Sequence, residues 1–212
     1  MEEKILVRTI TFDVNGTLLN DTHIFLATIN KMLRSLGLEV LPHDKLRREF
    51  GQPWTKIFRD KGIKEEKWSD KALYNLYNVI YSSFPAPDLS EGAAETLKVL
   101  KERGFELGIL SVQQYQMTKR ALQKSSGFLG LFTAALHGVP DKAKALQVMD
   151  HNCGPVVYVG DQVHDIVCAN NVRVRAIAFT NGLHPEDMFQ EARCFAKIKS
   201  FRELLELPFE RI

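Results

Sequence analysis

The chain has 212 residues, of which 45% are apolar, 25% charged and 9% aromatic, and its formal net charge is +2. These proportions exclude a disordered or collagen-like chain, and so balanced a charge gives no field that would recruit nucleic acid or an anionic membrane surface. No run of about 18 apolar residues occurs, so no membrane span is expected, and the acidic start Met1-Glu2-Glu3-Lys4 does not read as a signal peptide. Cys153, Cys168 and Cys194 lie far apart with no CxxC pair, which predicts free thiols in a cytoplasmic protein and neither a disulfide scaffold nor a zinc site.

In chain order, residues 5–12 (ILVRTITF) predict one buried strand that stops at the polar turn Asp13-Val14-Asn15-Gly16-Thr17. Helical spacing then takes over. Phe25, Ile29, Met32, Leu33 and Leu36 share a face with Gly37 as the stop, and Leu73, Leu76, Tyr77, Ile80, Tyr81 and Phe84 form a second stripe closed by Pro85 and Pro87. Residues 20–86 therefore read as wholly helical, with Trp54, Trp68 and the tyrosines as packing residues. Ser90 is the expected cap of a helix ending at Gly104. A strand over 106–110 ends at Ser111, a helix follows over about 114–124, and the apolar segment 132–136 comes next. Pro140 and Asp141 open a helix through Met149. The strand 155–159 ends at Gly160-Asp161, a helix covers about 163–170, and 175–179 is one more strand. The tail reads as a strand over 195–198 and a helix over 201–207.

Strands alternating with helices predict an α/β fold, a Rossmann-like parallel sheet flanked by helices. The helical block interrupts that rhythm, so the expected organisation is a core of residues 1–19 and 87–212 with an inserted all-helical cap of residues 20–86. In such a sheet, ligands bind beyond the carboxyl ends of the strands. Asp13, Ser111 and Asp161 each follow a strand, and Lys142 stands at the start of a helix. A carboxylate nucleophile, a hydroxyl, an ammonium and the acidic pair Asp161 and Asp165 would then share one edge. That set suits phosphoryl transfer, in which a carboxylate attacks phosphorus, a hydroxyl and a lysine hold the phosphoryl oxygens, and Mg²⁺ takes carboxylate ligands. Each residue also has an ordinary structural role: Asp161 as a helix cap, Ser111 as a strand end, and Lys142 as a surface lysine beside Lys144. His164 and His23 read as solvated.

At these positions the chain resembles the haloacid dehalogenase-like superfamily. Its four motifs stand in order as Phe12-Asp13-Val14-Asn15-Gly16-Thr17-Leu18-Leu19, Ser111, Lys142 within Asp141-Lys142-Ala143-Lys144-Ala145-Leu146, and Val159-Gly160-Asp161-Gln162-Val163-His164-Asp165. Gly51-Gln52-Pro53 and Thr180-Asn181-Gly182 are similar to the phosphoglycolate phosphatase-like branch. The resemblance implies a Mg²⁺-dependent phosphatase acting on a small phosphorylated metabolite through an aspartyl phosphate. Asp13 would be nucleophile and metal ligand, and Asn15 would offer its backbone carbonyl to the metal. Ser111 and Lys142 would bind phosphate, and Asp161 and Asp165 would complete the metal site. Family phosphatases usually carry an acid/base Asp where this chain has Asn15, so the resemblance implies weakened turnover. It leaves two alternatives: a catalytically impaired phosphate-binding or regulatory protein, and a 2-haloacid dehalogenase. Oligomeric state is not legible.

Overall fold

The computed structural model describes residues 5–211 and divides the chain into two compact units: residues up to Asn20 with those from Asp88 onward, and Asp21–Pro87. The expected first strand is two strands, β1 (Ile5–Val7) and β2 (Thr9–Phe12). The N–H groups of Arg8 and Thr9 both donate to the Pro155 carbonyl, at 2.9 and 3.2 Å, a two-on-one irregularity of the bulge type. Beyond it β1 pairs instead with β8 (Phe209–Arg211) in a separate parallel ribbon.

The main sheet is parallel and six-stranded, in the order β4-β3-β2-β5-β6-β7, with β3 (Glu106–Leu110), β4 (Ala134–Leu136), β5 (Val156–Gly160), β6 (Arg175–Phe179) and β7 (Ala196–Ile198). Chain order runs outward from β2 in both directions, so β2 is the switch point at which a crevice opens. All four β2 residues are buried, as a strand covered on both faces requires.

One face is covered by α7 (Lys142–Cys153) and α8 (Val163–Asn171), whose Leu146, Met149, Ile166 and Ala169 pack with Val156, Tyr158 and Ala176. On the other lie α5 (Ala93–Glu102) and the 3-10 turn Phe201–Leu205, where Phe201 stacks on Phe12 at 5.9 Å and meets Phe179 at 5.2 Å. That 3-10 turn replaces the longer helix expected over 201–207. Glu203 takes the N–H groups of Lys199 and Ser200 at 3.1 and 2.8 Å, which closes a single tight turn. Helix α6 (Tyr115–Leu122) follows β3. Ser90 is not the cap of α5. That place falls to Gly92, in the left-handed region at φ 74°. Ser90 instead donates its hydroxyl to the Thr17 carbonyl and its N–H to Leu18 O at 2.9 Å, tying the returning chain to the turn after β2.

In the unit Asp21–Pro87 every regular element is a helix: α1 (Thr22–Ser35), α2 (His43–Glu49), α3 (Lys56–Arg59) and α4 (Asp70–Ser82). Trp54 packs edge-on against Phe58, Tyr74 and Tyr77 at ring separations of 6.0, 6.4 and 6.1 Å. Tyr81 Oη donates to the buried Asp21 carboxylate at 2.5 Å, so that charge is hydrogen-bonded. Ser69 caps α4 by accepting the Ala72 N–H at 3.2 Å.

The helix that carries Lys142 is anchored by Leu146, which is fully buried one turn further on. Leu146→Ala is expected to cost about 2–5 kcal/mol in stability by leaving a cavity under α7, measurable by chemical denaturation.

Candidate active site

The strand register sets the site. Phe12 pairs with Ile109 on one side and with Val159 on the other, so Asp13 leaves the sheet between the ends of β3 and β5. The Asp13 N–H donates to Val159 O at 2.9 Å, which extends the ladder by one residue and fixes where the carboxylate emerges. Ser111 and Asp161 each lie one residue beyond the level of Asp13.

The carboxylates of Asp13, Asp161 and Asp165 converge, with an oxygen of each within 4.8 Å of the others, and all three residues are buried. Lys142 joins them from the first position of α7. Its Nζ donates to Asp13 Oδ1 at 2.8 Å and to Asp165 Oδ1 at 2.6 Å, and the residue is only 5% exposed. Lys144, by contrast, is exposed, and its backbone N–H is spent on the Asp141 cap at 3.0 Å. Asp161 does not cap α8. Gln162 holds that position, and its N–H donates to Asp165 Oδ2 at 3.0 Å. Asp161 Oδ2 instead accepts the Leu183 N–H at 2.7 Å, while Thr17 Oγ1 donates to Oδ1 at 3.4 Å.

Two glycines let Asp161 reach this place. Gly16, at φ +73°, and Gly182 both lie so close that a methyl group on either would overlap the Asp161 side chain. At Gly160 a Cβ would stand 2.6 Å from Asp165 Cβ, so that glycine admits Asp165 to the strand end. Ser111 is buried at the same edge, and its hydroxyl accepts the Gln113 N–H at 3.1 Å and makes no bond to the carboxylates or Lys142. Asn15 is half-buried in the turn and bridged to Leu19. His164 is half-buried with Nε2 3.2 Å from Cys168 Sγ, and His23 is exposed. The cysteines are free thiols, Cys168 buried and the other two half-buried.

Tyr158 belongs to this site and is not anticipated by the motifs. It lies wholly buried in β5, its ring 5.7 Å from Lys142 Nζ and its hydroxyl 3.5 Å from Asp165 Oδ1 and 3.4 Å from Leu110 O. The signal was a tyrosine within the otherwise aliphatic run Val156–Val159, because a buried phenol needs a partner.

Burial dominates the electrostatics. It raises the Asp13 pKa, the ammonium of Lys142 lowers it, and Asp165 raises it again, leaving it at about 6. Burial and then the charges of Asp13 and Asp165 hold Asp161 well above the carboxylate range. Burial alone would strip the Lys142 proton, but Asp13 and Asp165 reverse this and keep the ammonium charged. Ionised, the carboxylates outnumber the one ammonium, and the surplus negative charge is what a divalent cation with hard oxygen ligands would neutralise. The donor set fits such an ion.

The fold is a doubly wound α/β sheet with a buried acidic cluster at its strand-end edge. Residues 10–179 match the family described as haloacid dehalogenase-like hydrolase, and the chain belongs to it. It is 30% identical over 189 residues to a phosphoglycolate phosphatase of Synechococcus elongatus, covering 84% of this chain and 86% of that one. It is 26% identical over 179 residues to the pyrophosphatase PpaX of Listeria welshimeri, covering 78% and 79%. Among solved structures, a haloacid dehalogenase-like family hydrolase from Streptococcus pneumoniae superposes with a TM-score of 0.78 at 18% identity, over 94% of this chain and 97% of that one. No helix among the described residues is long and apolar enough to cross a membrane.

Asp161 is held among like charges, so the cation-free protein carries electrostatic strain there. Asp161→Asn keeps an acceptor for the Leu183 N–H and removes the repulsion. In EDTA its Tm should exceed that of the parent by roughly 2–4 °C, the shift that ~1 kcal/mol gives at this size. A lower Tm would mean that the Asp161 charge stabilises the fold.

Proposed function

We propose that this protein is a Mg²⁺-dependent phosphatase of small phosphorylated metabolites, with Asp13 as the nucleophile. The observation that carries the reading is the convergence of three buried carboxylates on one buried ammonium at the switch point of a parallel sheet. Asp13, Asp161 and Asp165, with the Asn15 backbone carbonyl, are assigned to hold the ion. Bound there, Mg²⁺ would neutralise the surplus carboxylate charge and that of a phosphoryl group.

The chain's own residues do the rest. A carboxylate oxygen of Asp13 bonds to phosphorus while the bond from phosphorus to the leaving oxygen breaks, giving an aspartyl phosphate. Lys142 spends two of its three N–H bonds on Asp13 and Asp165, which aims it, and the third is left for a phosphoryl oxygen. The Ser111 hydroxyl, oriented by the Gln113 N–H, has its proton to donate to another. Water then attacks the phosphorus, releasing phosphate and restoring the carboxylate. The amide of Asn15 is too weak an acid to protonate the leaving oxygen and too weak a base to take a proton from water, so both steps run without the help that general acid–base catalysis supplies, about 10²–10⁴-fold. The helical unit Asp21–Pro87 is assigned the role of the family's cap.

Asn15 also favours a second reading, in which the site binds phosphate but turns over too slowly to matter. A 2-haloacid dehalogenase is disfavoured, because releasing halide gives no use to Asp161 and Asp165 together.

Phosphate release from a panel of metabolite esters decides among these. Release should require Mg²⁺, stop in EDTA and vanish in Asp13→Asn. Asn15→Asp should raise kcat by about 10²–10⁴-fold on alkyl esters and by less on aryl esters, whose leaving groups need little protonation. Release that survives EDTA or Asp13→Asn overturns the assignment. No release from either the parent or Asn15→Asp favours the binding protein, and chloride release from 2-chloro acids without metal establishes the dehalogenase.

A further inference from the structure

The side chain of Asn15 is idle in the proposed mechanism, yet its neighbour gives it a chemistry of its own. Of the nine asparagines in the chain, two precede a glycine: Asn15-Gly16 and Asn181-Gly182. Such a pair is where asparagine loses its amide most readily in water. The next backbone nitrogen attacks the side-chain carbonyl, and a glycine neither screens that nitrogen with a side chain nor resists the backbone angles of the ring that forms.

The fold leaves this reaction open at Asn15, which is half-buried in the turn and not sealed in the core. Gly16 takes φ +73°, in the left-handed region, and a Cβ there would stand 2.0 Å from Asp161 Oδ2. A carboxylate thus lies against the residue whose N–H must give up a proton, a placement that suits a general base. The chain just after Gly16 is loosely tied. The Thr17 N–H reaches Val14 O, and the Leu18 N–H reaches Asp13 O, at 3.4 Å each, longer than an ordinary N–H···O bond. The turn is closed firmly only further on, where the Leu19 N–H donates to Val14 O at 2.8 Å.

We propose that Asn15-Gly16 is a modification site, at which the folded chain deamidates Asn15 to aspartate and so installs the acid/base carboxyl that its sequence lacks. The gain in activity rests on the phosphatase reading, and the modification itself does not. The Gly16 nitrogen bonds to Asn15 Cγ, and its proton passes to the departing amide, which leaves as ammonia. Water then adds to the resulting succinimide, a ring C–N bond opens, and nitrogen regains its proton. Opening at Cγ gives aspartate. Opening at the backbone carbonyl gives isoaspartate, whose extra backbone methylene would drive Gly16 out of its close packing on Asp161.

The test ages the freshly purified full chain for days at mildly alkaline pH in heavy-oxygen water, which marks each new carboxyl. Peptide mass spectrometry then follows Asn15 against the exposed Asn181, the same pair elsewhere in the chain. Asn15 should convert at a rate comparable with Asn181, and chiefly to aspartate. An intact Asn15, or conversion chiefly to isoaspartate, overturns the proposal.

Phosphate release from alkyl esters with Mg²⁺ should rise in step with the aspartate fraction. Acid–base help of about 10²–10⁴-fold means that converting roughly a tenth of the molecules raises the rate by about 10-fold or more. Asn15→Gln keeps an amide that would have to close a larger and slower ring, so it should gain nothing on ageing. A gain in Asn15→Gln, or conversion without gain where Asn15→Asp is active, overturns the proposal. Conversion with no release from either the aged parent or Asn15→Asp supports the modification and overturns the phosphatase reading.

Discussion

The ammonium of Lys142, held between Asp13 and Asp165, is the contact on which the rest of the site depends. It joins the end of β2 to the starts of α7 and α8, segments far apart in sequence, and does so almost wholly buried. Buried ion pairs contribute little net stability, because desolvation offsets their attraction, yet removing one partner typically costs about 3–5 kcal/mol. Such a contact therefore acts as a constraint on geometry more than as a source of stability. Leu146 and Met149 hold α7 against the sheet, Gly160 admits Asp165, and Tyr158 lies beneath the ammonium. Each serves to bring Lys142 to one place.

Asp161 shows the opposite balance. Its backbone and hydroxyl partners, Leu183 and Thr17, position the carboxylate without cancelling its charge, and two glycines, Gly16 and Gly182, make room for it. A fold optimised for stability alone would not place a third carboxylate there. Sites that act on charged ligands commonly give up stability in this way, and the strain marks where a cation and a phosphoryl group would be welcome.

Much of this architecture was legible because its signals are local. The alternation of strands with helices announced the parallel sheet, and the apolar stripes of α1 and α4 announced the helical insertion. Asp13, Ser111 and Asp161 each close a strand, so their common edge followed once the strands were parallel. Asn15, the departure from the family pattern, was equally plain. Non-local contacts decided the rest. The split of the first strand depends on the Pro155 carbonyl drawing two N–H groups, and the role of Ser90 depends on the Thr17 carbonyl, contacts that no local pattern encodes.

By itself, then, the sequence determined the fold class, the family and the residues at the strand ends, because periodicity and residue type act over a few positions. The tertiary structure brought Lys142 rather than Lys144 to the carboxylates, removed Asp161 from a capping role, and added Tyr158 to the charged cluster. It also left the Gln113 side-chain nitrogen buried without a hydrogen-bond partner. Those outcomes turn on which side chains meet after burial, and on whether each buried charge or N–H finds a counterpart. Only the folded chain fixes that, since it alone sets the distances over which desolvation and Coulomb forces compete.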